Sequence, residues 1–267
     1  MTTQGTTYSA TPLDGEHAIV TGGGHGLGRT ISLELARAGS RVTVMGRDTA
    51  RLQHATAALE AAGYSAHMVR CDVTDPEAVA VAFASAADAF GPASILVNNA
   101  GQARASVFGD TSLESWRATL DVNLTGPFLC TQQALPAMLR AGSGRIVNIA
   151  STAALRGFAT LSSYCASKHG LLGLTRSLAA EVARHGITVN AVCPGYTEGG
   201  MSEQAIEAIM GDRGVNAEEA LAMLVRNSPR RQLTSQEEVA ATVLWLCSPL
   251  ASAITGQAIA VAGGEVM

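Results

Sequence analysis

The chain has 267 residues, 47% of them apolar, and a formal net charge of −4; that is long for a typical domain but ordinary for one α/β unit with a large core. A negative balance and 4% aromatic residues supply neither the basic surface nor the stacking platform of a nucleic-acid binder. No uninterrupted apolar run approaches the length of a membrane span.

Residues 1–13 are polar and rich in threonine, without the basic start and apolar middle of a signal peptide, and read as a flexible tail before a single domain over 14–267. Short apolar runs at 17–21, 41–45, 66–71, 93–98, 144–150, 187–193 and 257–262 read as strands. Helical periodicity fills 26–38, 49–62, 76–90, 112–140, 162–185 and 235–247. Apolar strands alternating with helices predict a parallel, doubly wound, seven-stranded sheet covered on both faces. The segment 196–231 breaks the rhythm. It is helical in pattern and carries Met201, Ile206, Ile209, Met210, Leu221, Met223 and Leu224, as an amphipathic helix pair packed on the body would. Cys71, Cys130, Cys165, Cys193 and Cys247 are odd in number and lack zinc-type pairing. Four of them fall in apolar stretches, so buried, reduced thiols in a cytosolic protein are expected, and no metal site.

Three local patterns carry chemistry. The first strand, ending at Thr21, runs into Gly22-Gly-Gly-His-Gly-Leu-Gly28 and then a helix. Glycines at such a junction let the backbone approach a pyrophosphate at a helix amino terminus. The spacing is Thr-Gly-x-x-x-Gly-x-Gly, not Gly-x-Gly-x-x-Gly, because the third glycine position of the latter falls on Leu27 or Arg29. Second, Ser151 follows the buried run 145–150, where open α/β sheets bind ligands. Third, Tyr164 and Lys168 stand four apart on one helix face. Lys168 is the only lysine; the other 17 of 18 basic residues are arginine. Lysine is a compact ammonium whose pKa moves with its surroundings. Set beside a phenol that titrates near 10, it is expected to lower that value towards neutrality.

Thr21-Gly-x-x-x-Gly-x-Gly28, Asn98-Asn-Ala-Gly101, Asn123, Ser151, Tyr164, Lys168 and Pro194-Gly195 resemble, in order and spacing, the short-chain dehydrogenase/reductase family over residues 14 to 264. The resemblance implies a Rossmann-type fold, a small helical substrate lid over 196–231, and catalysis by Asn123, Ser151, Tyr164 and Lys168. Tyr164 would protonate a carbonyl oxygen, Ser151 would hydrogen-bond it, and Lys168 would lower the tyrosine pKa and bind the nicotinamide ribose. Asn123 would kink its helix and hold a water. Cofactor contacts are implied at Thr21, Gly22, Gly24, His25, Gly26, Leu27, Gly28, Asp72, Val73, Asn99, Ala100, Gly101, Pro194, Gly195 and Thr197. Relatives commonly place a threonine where this chain has Gly199, and an arginine where it has Gln232. The family also implies a homotetramer, built across the helices at 112–140 and 162–185.

NAD-preferring relatives end the second strand with an acid; here Gly46 and Arg47 stand there, and His25 adds a basic side chain in the glycine loop. This favours NADP(H) over NAD(H), with Arg47 gripping a 2′-phosphate. A register shifted to Asp48 would restore an acid, although Asp48 also suits a helix N-cap. The segments 144–152, 166–170 and 186–195 look most like β-ketoacyl and aromatic polyketide ketoreductases, whose ketone substrates ride on CoA or carrier-protein thioesters. Arg104, Arg156, Arg230 and Arg231 are candidates for the phosphate of such an arm. The alternatives are a catabolic dehydrogenase oxidising a secondary alcohol or hydroxyacyl-CoA with NAD, and a non-catalytic cofactor sensor. The sensor would be expected to have lost Tyr164 or Lys168.

Overall fold

The computed structural model describes residues 11–267. Its strands are β1 (His17–Thr21), β2 (Arg41–Gly46), β3 (Ala66–Arg70), β4 (Ile95–Asn98), β5 (Gly144–Ile149), β6 (Ile187–Pro194) and β7 (Ala258–Val261). They form one seven-stranded sheet in the order β3-β2-β1-β4-β5-β6-β7, parallel at each pairing. The helices are α1 (Gly26–Arg37), α2 (Thr49–Ala61), α3 (Pro76–Phe90), α4 (Leu113–Leu120), α5 (Gly126–Ala141), α6 (Ser162–Val182), α7 (Gly200–Arg213), α8 (Ala217–Leu224) and α9 (Gln236–Cys247).

Alternating side chains send each strand into two cores. Ala18, Val20, Val42, Val44, Val97 and Val147 meet Ile31 and Leu35 of α1, Leu52 and Leu59 of α2, and Val239, Val243 and Leu246 of α9. Ile19, Met45, Leu96, Ile146 and Val189 face the opposite way, onto Val79 and Phe83 of α3, Cys130 and Met138 of α5, and Val182 of α6. Full burial of such a side chain contributes about 1.5–3 kcal/mol. Local signals set the helix starts. Asp48 accepts from the Arg51 amide at 3.1 Å, Asp75 caps α3 beside Pro76, and Ser235 and Glu238 form a reciprocal capping box on α9. Because β4 lies beside β1 while β2 and β3 lie on its other side, the chain reverses its winding there. The crevice past the carboxyl ends of β1 and β4 is where such sheets bind ligands.

Two boundaries differ from the sequence expectation. The helix expected over 112–140 is split by a π-helical turn, Asp121–Thr125, between α4 and α5. Of the tail expected over 1–13, residues 1–10 lie outside the described residues. Leu13 is 2% exposed and its amide donates to the Ala38 carbonyl at 2.9 Å, so the body begins before residue 14. The segment 196–231 does contain a helix pair, α7 and α8.

Candidate active site

Thr21 closes β1 and organises the crevice. Its Oγ1 accepts from the amides of Asn99 and Ala100, both at 3.0 Å, and the Asn99 amide group donates to the Thr21 carbonyl at 2.9 Å. The end of β4 is thus stitched to the glycine loop. Two glycines there are required by space or by backbone. Gly22 has φ +66°, and a Cβ on Gly28 would collide with the Gly22 carbonyl oxygen and stand 2.5 Å from the Asn99 amide nitrogen. His25, at the N-cap of α1, makes no side-chain cap bond, which leaves first-turn N–H groups directed into the crevice. Bare amides at a helix amino terminus, in a cradle that a Cβ would fill, fit a dinucleotide pyrophosphate.

Beside this cradle an open depression is lined by Gly24, His25, Gly26, Arg29, Arg51, His54 and Gln236. Sequence reasoning anticipated His25 but missed Arg29, Arg51 and His54. The available signal was the i, i+3 spacing of Arg51 and His54 on the first turns of α2, which follows β2 directly. Gly46 has room, since a Cβ there would meet nothing closer than Leu52 at 3.5 Å. Arg47 faces Asp72, with Nη1 3.9 Å from Oδ2. Asp48 is the N-cap of α2 and an ion-pair partner of Arg51 at 3.3 Å, so its carboxylate is engaged by the helix it starts. Asp72 accepts from the amide and hydroxyl of Thr74, at 3.0 and 2.8 Å. Val73 is buried against Gly126, where a Cβ would sit 2.8 Å from its methyl.

Ser151 follows β5 in extended backbone and starts a 3₁₀ turn, its Oγ accepting from the Ala153 amide at 3.1 Å. Tyr164 and Lys168 project from α6. Lys168 is 4% exposed; its Nζ donates to the Ile149 carbonyl at 2.7 Å and stands 5.7 Å from the Tyr164 ring centroid. Burial lowers its pKa to about 8. The expected lowering of the Tyr164 pKa is not observed. Burial pushes the phenol above its ordinary value, opposed by a hydrogen bond with Ser151. The physical reason is desolvation, which penalises the phenolate, while the Lys168 ammonium donates to the Ile149 carbonyl.

Asn123 lies in the π-helical turn and is fully buried. Its Oδ1 accepts from the Gln102 amide at 2.9 Å, and its Nδ2 donates to the Gln102 carbonyl at 2.8 Å and to the Ser167 hydroxyl at 3.0 Å. The local kink is present. The side chain clamps the segment following Gly101 to α6. A Cβ on Gly101 would come 3.3 Å from Asn123 Oδ1 and 3.6 Å from Lys168 Nζ, placing that glycine between the two.

Pro194 ends β6, and the Gly195 amide donates to the Val261 carbonyl at 3.1 Å. Thr197 donates from Oγ1 to the Gly195 carbonyl at 3.1 Å. Gly199 has φ +109°, and a Cβ there would press to 2.7 Å from the Gln236 amide nitrogen. Gln236, which sequence reasoning passed over, donates to the Glu198 carbonyl at 2.9 Å and accepts from Thr30 of α1 at 2.8 Å. A threonine at 199 would thus be strained by the backbone and would displace the Gln236 amide. The four cysteines expected to be buried are so, and Cys165 is half-buried; burial raises the Cys193 thiol to about 11, which makes it a poor nucleophile. Among the described residues, no group of three or more His, Cys, Asp or Glu side chains could hold a metal ion, and no helix is long and apolar enough to cross a membrane.

Residues 16–209 match the family described as short chain dehydrogenase. Ketoacyl reductase 1 of the granaticin polyketide synthase from Streptomyces violaceoruber is 40% identical over 268 residues, covering 99% of this chain and 98% of its own. D-beta-hydroxybutyrate dehydrogenase from Rhizobium meliloti is 37% identical over 251 residues, 92% of this chain and 97% of its own. A crystal structure of a tryptophan-substituted actinorhodin polyketide ketoreductase with NADPH superimposes with a TM-score of 0.91 at 39% identity, covering 96% of this chain and 99% of that one. Sequence, topology and the placement of Ser151, Tyr164 and Lys168 around one crevice agree: the chain belongs to the short-chain dehydrogenase family.

Proposed function

We propose that the protein reduces a ketone to a secondary alcohol with NADPH, on a β-ketoacyl thioester or polyketide-type substrate. The observation that carries this reading is the joining of a serine, a tyrosine and a buried lysine to a glycine cradle whose outer end is basic. The relatives named for ketoacyl and polyketide reduction support the substrate class, and the NADPH in the actinorhodin neighbour supports the cofactor.

Thr21, Gly22, Gly24, Gly26, Leu27 and Gly28 would hold the pyrophosphate, with His25, Arg29, Arg51 and His54 around the 2′-phosphate and Arg47 closing from the Asp72 side. Asp72 and Val73 would border the adenine; Asn99, Ala100, Gly101, Pro194, Gly195 and Thr197 would border the nicotinamide half. NADPH, when bound, supplies the hydride. The chain's own work concerns the carbonyl oxygen. Ser151 donates a hydrogen bond to it and Tyr164 gives it a proton. A phenol kept protonated by burial is in the state that a general acid needs. Lys168 would hold the ribose, and Asn123 keeps Gly101 and α6 in register beneath it.

Helices α7 and α8 would form the substrate lid, with Met201 and Met223 exposed as an adaptable apolar lining. Arg156 pairs with Glu265 and Arg230 with Glu238. That leaves Arg104 and Arg231 as the stronger candidates for a phosphopantetheine phosphate. Exposed Leu113, Phe128 and Leu139 on α4 and α5 support a homotetramer, which light scattering would report. The unpaired thiols support a cytoplasmic location. The test of function is NADPH oxidation by pure protein against free ketones, β-ketoacyl-CoA analogues and bicyclic ketones. Turnover should be highest on a β-ketoacyl or bicyclic ketone. Selective NAD-linked oxidation of a secondary alcohol or hydroxyacyl-CoA would instead favour the dehydrogenase reading; the Rhizobium relative is named for D-beta-hydroxybutyrate dehydrogenation.

A further inference from the structure

Past β7 the chain makes a tight return. Gly263 and Gly264 have φ +57° and +86°, and a Cβ on Gly263 would press to 2.8 Å from Arg230 Cβ. This turn sends Glu265 back into the protein, where its side chain is only 5% exposed. The carboxylate meets three things. Arg156 Nη2 lies 3.2 Å from Oε1, the Thr152 side chain donates a hydrogen bond, and a Cβ on Gly195 would stand 3.0 Å from Oε2. Thr152 and Arg156 belong to the turn that begins at Ser151, and Gly195 begins the segment leading to α7. Arg156 is itself fixed from the other side, its guanidinium 4.4 Å from the Phe158 ring centroid.

We propose that Glu265 is a positioning residue for this site. Its buried carboxylate ties the turn carrying Ser151 to the return past β7, where it packs against Gly195, and so sets where Ser151 presents its hydroxyl to a carbonyl oxygen. The inference rests on the reductase reading for its catalytic consequence, but the tie itself does not. A buried carboxylate needs such partners, because burying it unpaired carries a heavy desolvation cost. Here one guanidinium and one hydroxyl meet that cost, and both come from the turn carrying Ser151. The titratable and charged groups facing Glu265 are Arg156 and Tyr196. Burial raises the Glu265 pKa and Arg156 opposes the rise, so protonation in mild acid would loosen the tie before ordinary carboxylates titrate.

The experiment compares wild type with Glu265→Gln, Arg156→Gln and the double variant in three measurements. The first is hydrogen exchange without substrate. Amides of 152–156 and 195–197 should exchange faster in each single variant, while β1 amides should not change. The second is kcat and KM at pH 7. Glu265→Gln should lower kcat roughly 10- to 100-fold, the effect of misplacing a reacting group by an ångström or less, and leave NADPH affinity within a factor of about two. The double variant should be no worse than Glu265→Gln, since the pair acts as one unit. The third is the pH profile, where an acid limb present in wild type should vanish in Glu265→Gln. If Glu265→Gln does not fold, the double variant, which buries no unpaired charge, carries the same comparisons. Unchanged exchange in 152–156 together with kcat within twofold of wild type would overturn the proposal. If no ketone is turned over by wild type, the reductase reading fails and the exchange measurement alone decides the tie.

Discussion

Lys168→Met should abolish turnover without destabilising the fold, and the magnitude can be worked from the site. Lys168 is buried, and desolvation lowers its pKa from 10.5 to about 8. At about 1.4 kcal/mol per pH unit, holding the ammonium charged costs the fold about 3 kcal/mol at neutral pH. Methionine fills a similar volume and removes that penalty. Against it stands the Ile149 carbonyl, which loses its donor, a loss of about 1–3 kcal/mol. The variant should therefore be as stable as wild type at pH 7 or up to about 2 kcal/mol more so; each kcal/mol raises the melting temperature by roughly 2–4 °C in a chain of this size. The pH dependence sharpens the test. Because the folded value is lowered, the unfolded chain holds its proton where the folded one has shed it. Wild-type stability should thus climb as pH rises from about 8 towards 10.5, and the advantage of Lys168→Met should shrink by about 3 kcal/mol over that window. Denaturant melts of the nucleotide-free protein at pH 7, 8.5 and 10 measure this. A variant more than about 1 kcal/mol less stable at pH 7 that draws level with wild type in alkali would show that the lysine is a net stabiliser and refute the reasoning.

Tyr164→Phe should keep nucleotide affinity and lose roughly 10²–10⁴-fold in turnover; fluorescence titration and steady-state rates separate the two. Gly46→Asp with Arg47→Ala should shift preference towards NADH, with a loss of about 10–100-fold in NADPH efficiency for the arginine alone. The reversal should be incomplete because Arg51 and His54 remain, and equal efficiency with both nucleotides in wild type would contradict the assignment. His17 is buried, its Nδ1 2.6 Å from the Gly91 carbonyl and its Nε2 2.9 Å from Thr43 Oγ1, and burial lowers its pKa below 6.5. The unfolded chain therefore takes up a proton first, and stability should fall as pH drops below about 6.5. His17→Gln should flatten that decline in denaturant melts.

The strands and their parallel direction were legible because burial on two faces writes itself as short apolar runs, as at Ile95-Leu-Val97. The candidate catalytic trio was legible through spacing: thirteen residues from Ser151 to Tyr164 and four more to Lys168. What could not be read were features made by distant segments meeting. The π-helical turn at Asp121–Thr125 leaves no mark on periodicity, since its residues continue the apolar pattern of the helices on either side. Arg51 and His54 read as an ordinary solvated helix face until α1 and the glycine loop are placed opposite them. The direction of the Tyr164 shift depended on the burial of the phenol, which the separation of Tyr164 and Lys168 along α6 does not reveal. That relatives commonly have a threonine where this chain has Gly199 gave no hint of the positive φ that favours glycine there.

The burial of the single lysine has a consequence for the chemistry of the surface. Every exposed cation of a basic side chain is a guanidinium or an imidazole, and guanidinium keeps its proton throughout the range in which proteins stay folded. The outside therefore presents no side-chain amine to acylating or aldehyde reagents. Such a reagent would find its one lysine target inside the crevice, where occupancy of the cradle would shield it. Covalent labelling of that amine would then report on occupancy of the site, not on the accessibility of the surface.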